Sequence, residues 1–263
     1  MTWKEFILKI KKRWHYLLAN RKSIETYYMT VVESTKERTT FDYFGQIFQA
    51  RLKNSSDYGI VKQVIMKEEY SLAVSFFKAQ NLTPKVIIDA GSNIGATAIY
   101  LKHHYPRTQL FCIEPEEENF DLLKTNLSMY VNDGSVELYQ AGLMGKSDLN
   151  LAINSNFRDK SSCARQVIVD QKDNGLKSIT VMDLLKQHNL KRIDLLKMDI
   201  EGAEVFLIEE GSDVSFLDIT KCIAIEIHDE VVDREKVYEL LRNKGFLLLE
   251  QHETTVGINK ELC

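Results

Sequence analysis

The chain has 263 residues, 44% of them hydrophobic, and a formal net charge of −4. That length carries one full α/β domain with an appendage and a sizeable core. The charge balance excludes a general electrostatic case for nucleic acid, and no run approaches the roughly 18 apolar residues of a membrane span.

Residues 1–22 are basic, with Lys4, Lys9, Lys11, Lys12, Arg13, Arg21 and Lys22 against the single acid Glu5. Trp3, Ile7, Ile10, Trp14 and Leu18 recur at helical spacing. Such a helix either packs its apolar stripe on the main domain or a second subunit, the commoner use, or makes weak contact with an anionic membrane surface. Its scattered charges exclude the apolar core of a signal peptide. Cys112, Cys163, Cys222 and Cys263 form no C-x-x-C pair. Two fall in expected buried strands, so all read as thiols of a reducing compartment. The expected location is cytoplasmic, with any membrane contact peripheral. Residues 23–83 read as further helical material with a hairpin or loop: 41–52 is apolar-rich, and Ser55-Ser56-Asp57 is a turn or cap signal. Residues 1–83 are thus expected as a helical N-terminal extension, and 84–263 as the main domain.

Residues 86–101, VIIDAGSNIGATAIYL, read as an apolar strand ending at Asp89, a loop of small residues and a helix start. Glycines let a ligand approach the backbone, and a helix N-terminus offers N–H groups. A dinucleotide fingerprint needs a glycine where Asn93 stands between Gly91-Ser92 and Gly95. A phosphate loop needs Gly-Lys-Ser/Thr, which is absent. An acid ending the strand suits a ligand with cationic and hydroxyl-bearing parts, as in S-adenosylmethionine. The next strand, 109–113, ends at Glu114, about 20 residues on, where ribose hydroxyls are held in such folds.

Further along, Glu116-Glu117-Glu118 open a helix and suit its dipole. A third strand, 135–140, ends at Ala141-Gly142. Residues 143–178 are polar and irregular, with short β-like runs at 149–153 and 166–169, and form an insertion over the sheet edge. Residues 180–188 look helical. The strand 193–198 ends at Asp199, followed by an expected helix over 201–210 with Gly211 as its C-cap. A fifth strand, 221–227, ends at His228. A helix over 237–243 and a hairpin of 246–250 and 254–258 close the sheet. Alternating strands and helices define an α/β fold with a doubly wound, mostly parallel seven-stranded sheet of Rossmann-like type.

Strand tips in such a sheet converge on one crevice. Asp199, Glu201, Glu226 and His228 are therefore expected beside Asp89. A carboxylate ending an apolar strand needs a partner. Glu204 reads as a solvated or capping residue. Glu201 divides evenly between capping and function, and His228 between a hydrogen-bonded core residue and a substrate-facing base.

The stretches RLKNSSDYGIVKQVIMKEEY (51–70), VIIDAGSNIGATAIYL (86–101), FCIEPEEENFDLLKTN (111–126), IDLLKMDIEGAEVFLIEEG (193–211) and IAIEIHDE (223–230) resemble the FkbM-type S-adenosylmethionine-dependent methyltransferases. The similarity covers roughly 51–228, and KMDIEGAE is its most specific part. It implies a class I methyltransferase fold and an O-methyltransferase, often acting on sugar hydroxyls of glycans, glycolipids or natural products. Asp89, Gly91, Ser92, Asn93 and Gly95 would then form the cofactor loop. Glu114 would hold the ribose, Ala141 the adenine side, and Asp199 and Glu201 the cleft centre. The expected partner is a small-molecule or glycan acceptor. The competing readings are a nucleotide-dependent oxidoreductase, which Asn93 opposes, and a non-catalytic cofactor-binding scaffold, which the acids of 199–202 oppose.

In-line methyl transfer to a hydroxyl profits from a general base. His228, supported by Asp199 and Glu201, is the candidate by its unperturbed pKa, with Glu226 beside the substrate. A divalent cation is an alternative activator, although the spacing alone does not require one.

Overall fold

The computed structural model describes residues 29–53, 55–154, 166–173 and 175–263. The basic segment 1–22 and Cys163 lie outside the described residues. The first described element is a three-stranded antiparallel meander: β1 (Met29–Ser34), β2 (Arg38–Tyr43) and β3 (Gln46–Arg51). This corrects the expectation of a helical extension, although a hairpin was part of that reading. Thr39, Phe41 and Tyr43 are buried at every second position, the period of a strand. Phe44 and Gly45 both have positive φ, 53° and 82°, which makes the tight turn that pairs Tyr43 with Gln46. Helix α1 (Asp57–Val61) runs on as a π-helical turn to Met66, and α2 (Ser71–Ala79) follows after a break.

The main domain alternates as expected: β4 (Val86–Ala90), α3 (Ala96–His104), β5 (Gln109–Ile113), α4 (Glu117–Asn126), α5 (Ser128–Asn132) and β6 (Val136–Tyr139). After β7 (Ala141–Leu143), the insertion contributes β8 (Leu151–Asn154), β9 (Gln166–Val169) and β10 (Lys177–Ile179). There β8 pairs β9 antiparallel and β10 pairs β7 parallel, apart from the main sheet. The chain continues with α6 (Val181–Gln187), β11 (Ile193–Met198), β12 (Thr220–Glu226), α7 (Arg234–Asn243), β13 (Phe246–Gln251) and β14 (Thr254–Asn259). Thr180 and Asp183 close a capping box on α6.

The seven-stranded sheet has the order β13-β14-β12-β11-β4-β5-β6, parallel except for the antiparallel β14. Consecutive side chains of each central strand point to opposite faces. Ile87, Leu110 and Leu195 pack with Phe76, Ile99 and Leu123 on one face. Ile88, Phe111 and Leu196 pack with Leu184 and Val237 on the other. Both faces are covered, so the central strands are mostly apolar, with Asp89, Asp194 and Lys197 as buried charged exceptions. From β4 the winding runs outward through β5 and β6 on one side, and through β11 and β12 on the other. The order therefore reverses between β4 and β11, and the ligand crevice of such a sheet opens at their C-terminal ends.

The helix expected over 201–210 is instead a short 3₁₀ turn, Ala203–Leu207. Glu201 and Gly202 precede it with φ of 54° and 94°, which no α-helix accommodates. Among the described residues no helix is long and apolar enough to cross a membrane.

Candidate active site

The tip of β4 and its loop fold back on themselves. Gly91 and Ser92 donate their N–H groups to Ile113 O, both at 3.0 Å. Asn93 donates to Glu114 Oε2 at 2.8 Å, Ile94 to Asn93 Oδ1 at 2.8 Å, and Gly95 to Ser92 O at 2.8 Å. Every N–H from 91 to 95 thus has an acceptor inside the protein. This corrects the expectation of N–H groups left free for a ligand: the loop has none to offer a pyrophosphate. The left-handed φ of Asn93, 49°, aims its N–H at Glu114, and Asn tolerates that conformation better than most residues.

The glycines serve packing more than ligand approach. A Cβ on Gly91 would stand 1.7 Å from Asp199 O, so the tips of β4 and β11 can meet only with glycine there. A Cβ on Gly95 would meet Leu123 Cδ1 at 2.9 Å, and Gly95 is not part of the cavity wall. The wall beside the loop is made by Gly91, Ser92, Asn93 and Glu114. Ala141 is likewise set back, with its neighbours Gly142 and Leu143 on the wall instead.

Glu114 is buried. Its Oε2 accepts from Asn93 N, and its Oε1 from Glu116 N at 3.0 Å and Asn119 Nδ2 at 3.4 Å. Burial outweighs these three donors and pushes its carboxyl up to about 7. A carboxylate offers about four lone-pair sites, so one on Oε2 remains for a ligand. The support continues outward. The Arg51 guanidinium donates to Asn119 and forms a two-pronged pair with the fully buried Asp57.

Lys197 was not singled out in the sequence, yet it joins the two halves of the site. It lies opposite Asp89 in the register of β11 and β4, and it is 1% exposed. Its Nζ donates to Ala90 O at 3.1 Å and Gly91 O at 2.6 Å, and lies 3.3 Å from Asp89 Oδ1 and 3.9 Å from Asp199 Oδ2. Neither oxygen of Asp89 makes a hydrogen bond among the described residues. Burial raises the Asp89 pKa, with Lys197 opposing.

The strand tips bring His228, Asp199, Glu201 and Glu226 together as expected. His228 is 2% exposed. Its Nε2 lies 3.4 Å from Glu201 Oε2, 3.8 Å from Glu226 Oε1 and 3.9 Å from Asp199 Oδ1. Its Nδ1 sits 3.2 Å from both oxygens of Glu204. Glu204 is fully buried, so of its two readings, solvated or capping, the solvated one is corrected and the capping one holds. It also accepts the N–H groups of Ile200 at 2.8 Å and Gly202 at 2.9 Å. That capture bends the chain into the left-handed pair Glu201-Gly202 and turns the Glu201 carboxylate toward His228.

Burial alone would lower the His228 pKa. Contacts with Glu201 and Glu204, and the charges of Glu204 and Asp199, outweigh it and hold the imidazole up at about 11. The ring therefore keeps both protons at neutral pH. This corrects its reading as a base titrating near neutrality, because an imidazolium has no lone pair to receive a proton. Burial and the charge of Asp199 push Glu226 up to about 8. Asp199, Glu201 and Glu226 open into the same cavity as Glu114, which also touches Tyr70 and Asn119.

A model of the FkbM methyltransferase domain matches residues 89–248, a span that holds the loop, Glu114 and the whole acidic cluster. Methyltransferase 1 of Beauveria bassiana is 29% identical over 182 residues, covering 61% of this chain and 71% of that one. Methyltransferase sdnD of Sordaria araneosa is 28% identical over 189 residues, 61% of this chain and 73% of that one. The crystal structure of methyltransferase FkbM from Methylobacillus flagellatus superposes with a TM-score of 0.45 at 14% identity, covering 72% of this chain and 53% of that one. With the family model spanning well over half of its length, the chain belongs to the FkbM methyltransferases.

Proposed function

We propose that the protein is an S-adenosylmethionine-dependent O-methyltransferase whose acceptor is a sugar hydroxyl of a glycan, glycolipid or natural product. The observation that carries this reading is one cavity with two chemically distinct ends. At one end Glu114 keeps a lone pair for a ribose diol, and the loop spends every N–H from 91 to 95 internally. A dinucleotide would need those N–H groups for its pyrophosphate; a phosphate-free cofactor does not. The other end carries Asp199, Glu201 and Glu226; their neighbour His228 lines an adjoining cavity that shares Glu226.

The residues present fit the cofactor: Glu114 would hold the ribose, Asn93 and Ser92 line its loop, and Gly142 and Leu143 flank the adenine side. Bound there, S-adenosylmethionine supplies an electrophilic methyl on a sulfonium, and the departing thioether keeps the electron pair. The chain's own task is to align the acceptor oxygen and remove its proton. Alignment of that kind contributes up to about 7–11 kcal/mol. Asp199 and Glu226 on the cavity wall, positioned by the neighbouring His228 ring, orient the hydroxyl, and Glu201 beside them accepts its proton, a role worth roughly 10²–10⁴-fold. Two fully buried free thiols, Cys112 and Cys222, suit a cytoplasmic setting.

Calorimetry with S-adenosylhomocysteine and, in parallel, with NAD tests the cofactor end. Saturable binding of the first and none of the second is expected. Binding of NAD alone, or of neither, overturns the reading.

A further inference from the structure

His228 Nε2 faces three carboxylates, Glu201 at 3.4 Å, Glu226 at 3.8 Å and Asp199 at 3.9 Å, each farther than a normal hydrogen bond of about 2.7–3.2 Å. Its side chain is 1% exposed, and Nε2 makes no hydrogen bond among the described residues. An orphaned buried nitrogen of this kind calls for an explanation. Asp199, Glu226 and His228 each present one atom, all within 4.8 Å of one another. Donors about 2.0–2.2 Å from a metal ion stand roughly 3–4 Å apart, and the separations of Nε2 from the two carboxylates, 3.8 and 3.9 Å, match that.

We infer that Asp199, Glu226 and His228 Nε2 bind a divalent cation. Glu204 supplies the outer support. It holds Nδ1 through both of its oxygens, so the ring turns Nε2 toward the two carboxylates. A carboxylate behind a ligating histidine is the usual way its orientation and tautomer are fixed. The cation takes the place of the Nε2 proton, as metal binding generally releases protons. Two carboxylates and one imidazole suit Mn²⁺, Fe²⁺, Mg²⁺ or Zn²⁺. Three protein donors leave positions on a six-coordinate ion for oxygens from outside. Asp199 and Glu226 line the cavity, so those positions face the acceptor end. The ion would then hold an acceptor with two adjacent oxygens, such as a vicinal diol, and leave Glu201 to take the proton. That last step rests on the methyltransferase reading; the binding of the ion does not.

The test is Mn²⁺ binding to the chelator-treated full-length protein, followed by the electron paramagnetic resonance signal of free Mn²⁺. S-adenosylhomocysteine binding is measured on the same samples. One Mn²⁺ per chain is expected. Glu226→Gln and His228→Asn should each weaken it by about tenfold or more, and Glu204→Gln should weaken it with the direct ligands intact. S-adenosylhomocysteine binding in each variant certifies its fold. Free Mn²⁺ that stays undiminished by wild-type protein overturns the inference, as do variants that bind Mn²⁺ like wild type. S-adenosylhomocysteine bound without Mn²⁺ removes the metal and leaves the cofactor reading. Mn²⁺ bound without S-adenosylhomocysteine does the reverse.

Discussion

Glu114→Gln probes the cofactor end of the cavity through its pH dependence. The carboxyl sits at about 7, raised by burial, with Glu116 as the neighbouring charge. A ribose diol donates hydrogen bonds, so it selects the ionised form. Below the pKa that form must first be generated, at roughly 1.4 kcal/mol per pH unit. The affinity for S-adenosylhomocysteine should therefore rise about tenfold from pH 6 to pH 8 and level off above. In Glu114→Gln the slope should vanish. The loss at pH 8 should be about 1.5–3 kcal/mol, the worth of a hydrogen bond to a charged group. The variant also carries a folding cost. Its amide nitrogen must face either Asn93 N or Glu116 N, both donors, and leaving one buried N–H unpaired costs about 1–3 kcal/mol. Calorimetry at pH 6, 7 and 8 on both proteins, with Tm as the control, reads all of this. A wild-type affinity that is flat across that range, or a variant that keeps the slope, refutes the assignment of Glu114 to the ribose.

His228→Ala should lower kcat by about tenfold or more and leave S-adenosylhomocysteine affinity within about threefold; equal losses in both would place the ring at the cofactor. Gly91→Ala forces a Cβ to within 1.7 Å of Asp199 O, a backbone atom, and should cost several kcal/mol, about the upper range for single substitutions, in urea denaturation; near-wild-type stability would refute the close approach. Asp57→Ala strands the Arg51 guanidinium and should cost about 3–5 kcal/mol by the same measurement, whereas a loss under about 1 kcal/mol would mark the pair as a surface one. Deleting residues 1–22 should abolish co-sedimentation with anionic liposomes at low salt and preserve cofactor binding; full-length protein that never sediments refutes the membrane contact.

The parallel core was legible because its strands are predominantly apolar runs ending in acids: Asp89, Glu114 and Asp199 all stand at strand tips. The left-handed turn at Glu201-Gly202 was not, because helical spacing in 203–210 looks the same whether or not Glu204 captures the N–H groups of Ile200 and Gly202. The local capture also hid the role of Glu204 behind His228, a contact made 24 residues further along the chain. Lys197 carried a signal that went unused: a lysine in the fully buried strand IDLLKM must have a partner. The meander of β1–β3 was only partly legible, as a hairpin, because its strands mix charged and apolar residues. Only the burial of Thr39, Phe41 and Tyr43 against Phe48 and Ala50 makes the period of two visible.

The most direct measurement is product analysis. The full-length protein is incubated with S-adenosylmethionine bearing an isotopically labelled methyl and a panel of glycans, sugar nucleotides and free polyols, with and without added Mn²⁺. Mass spectrometry and nuclear magnetic resonance then locate the label. The account predicts a methyl ether on a sugar hydroxyl, formed faster with the cation and at least about tenfold more slowly in His228→Ala. Label on nitrogen, carbon or sulfur, or an ether formed equally well by His228→Ala, contradicts it.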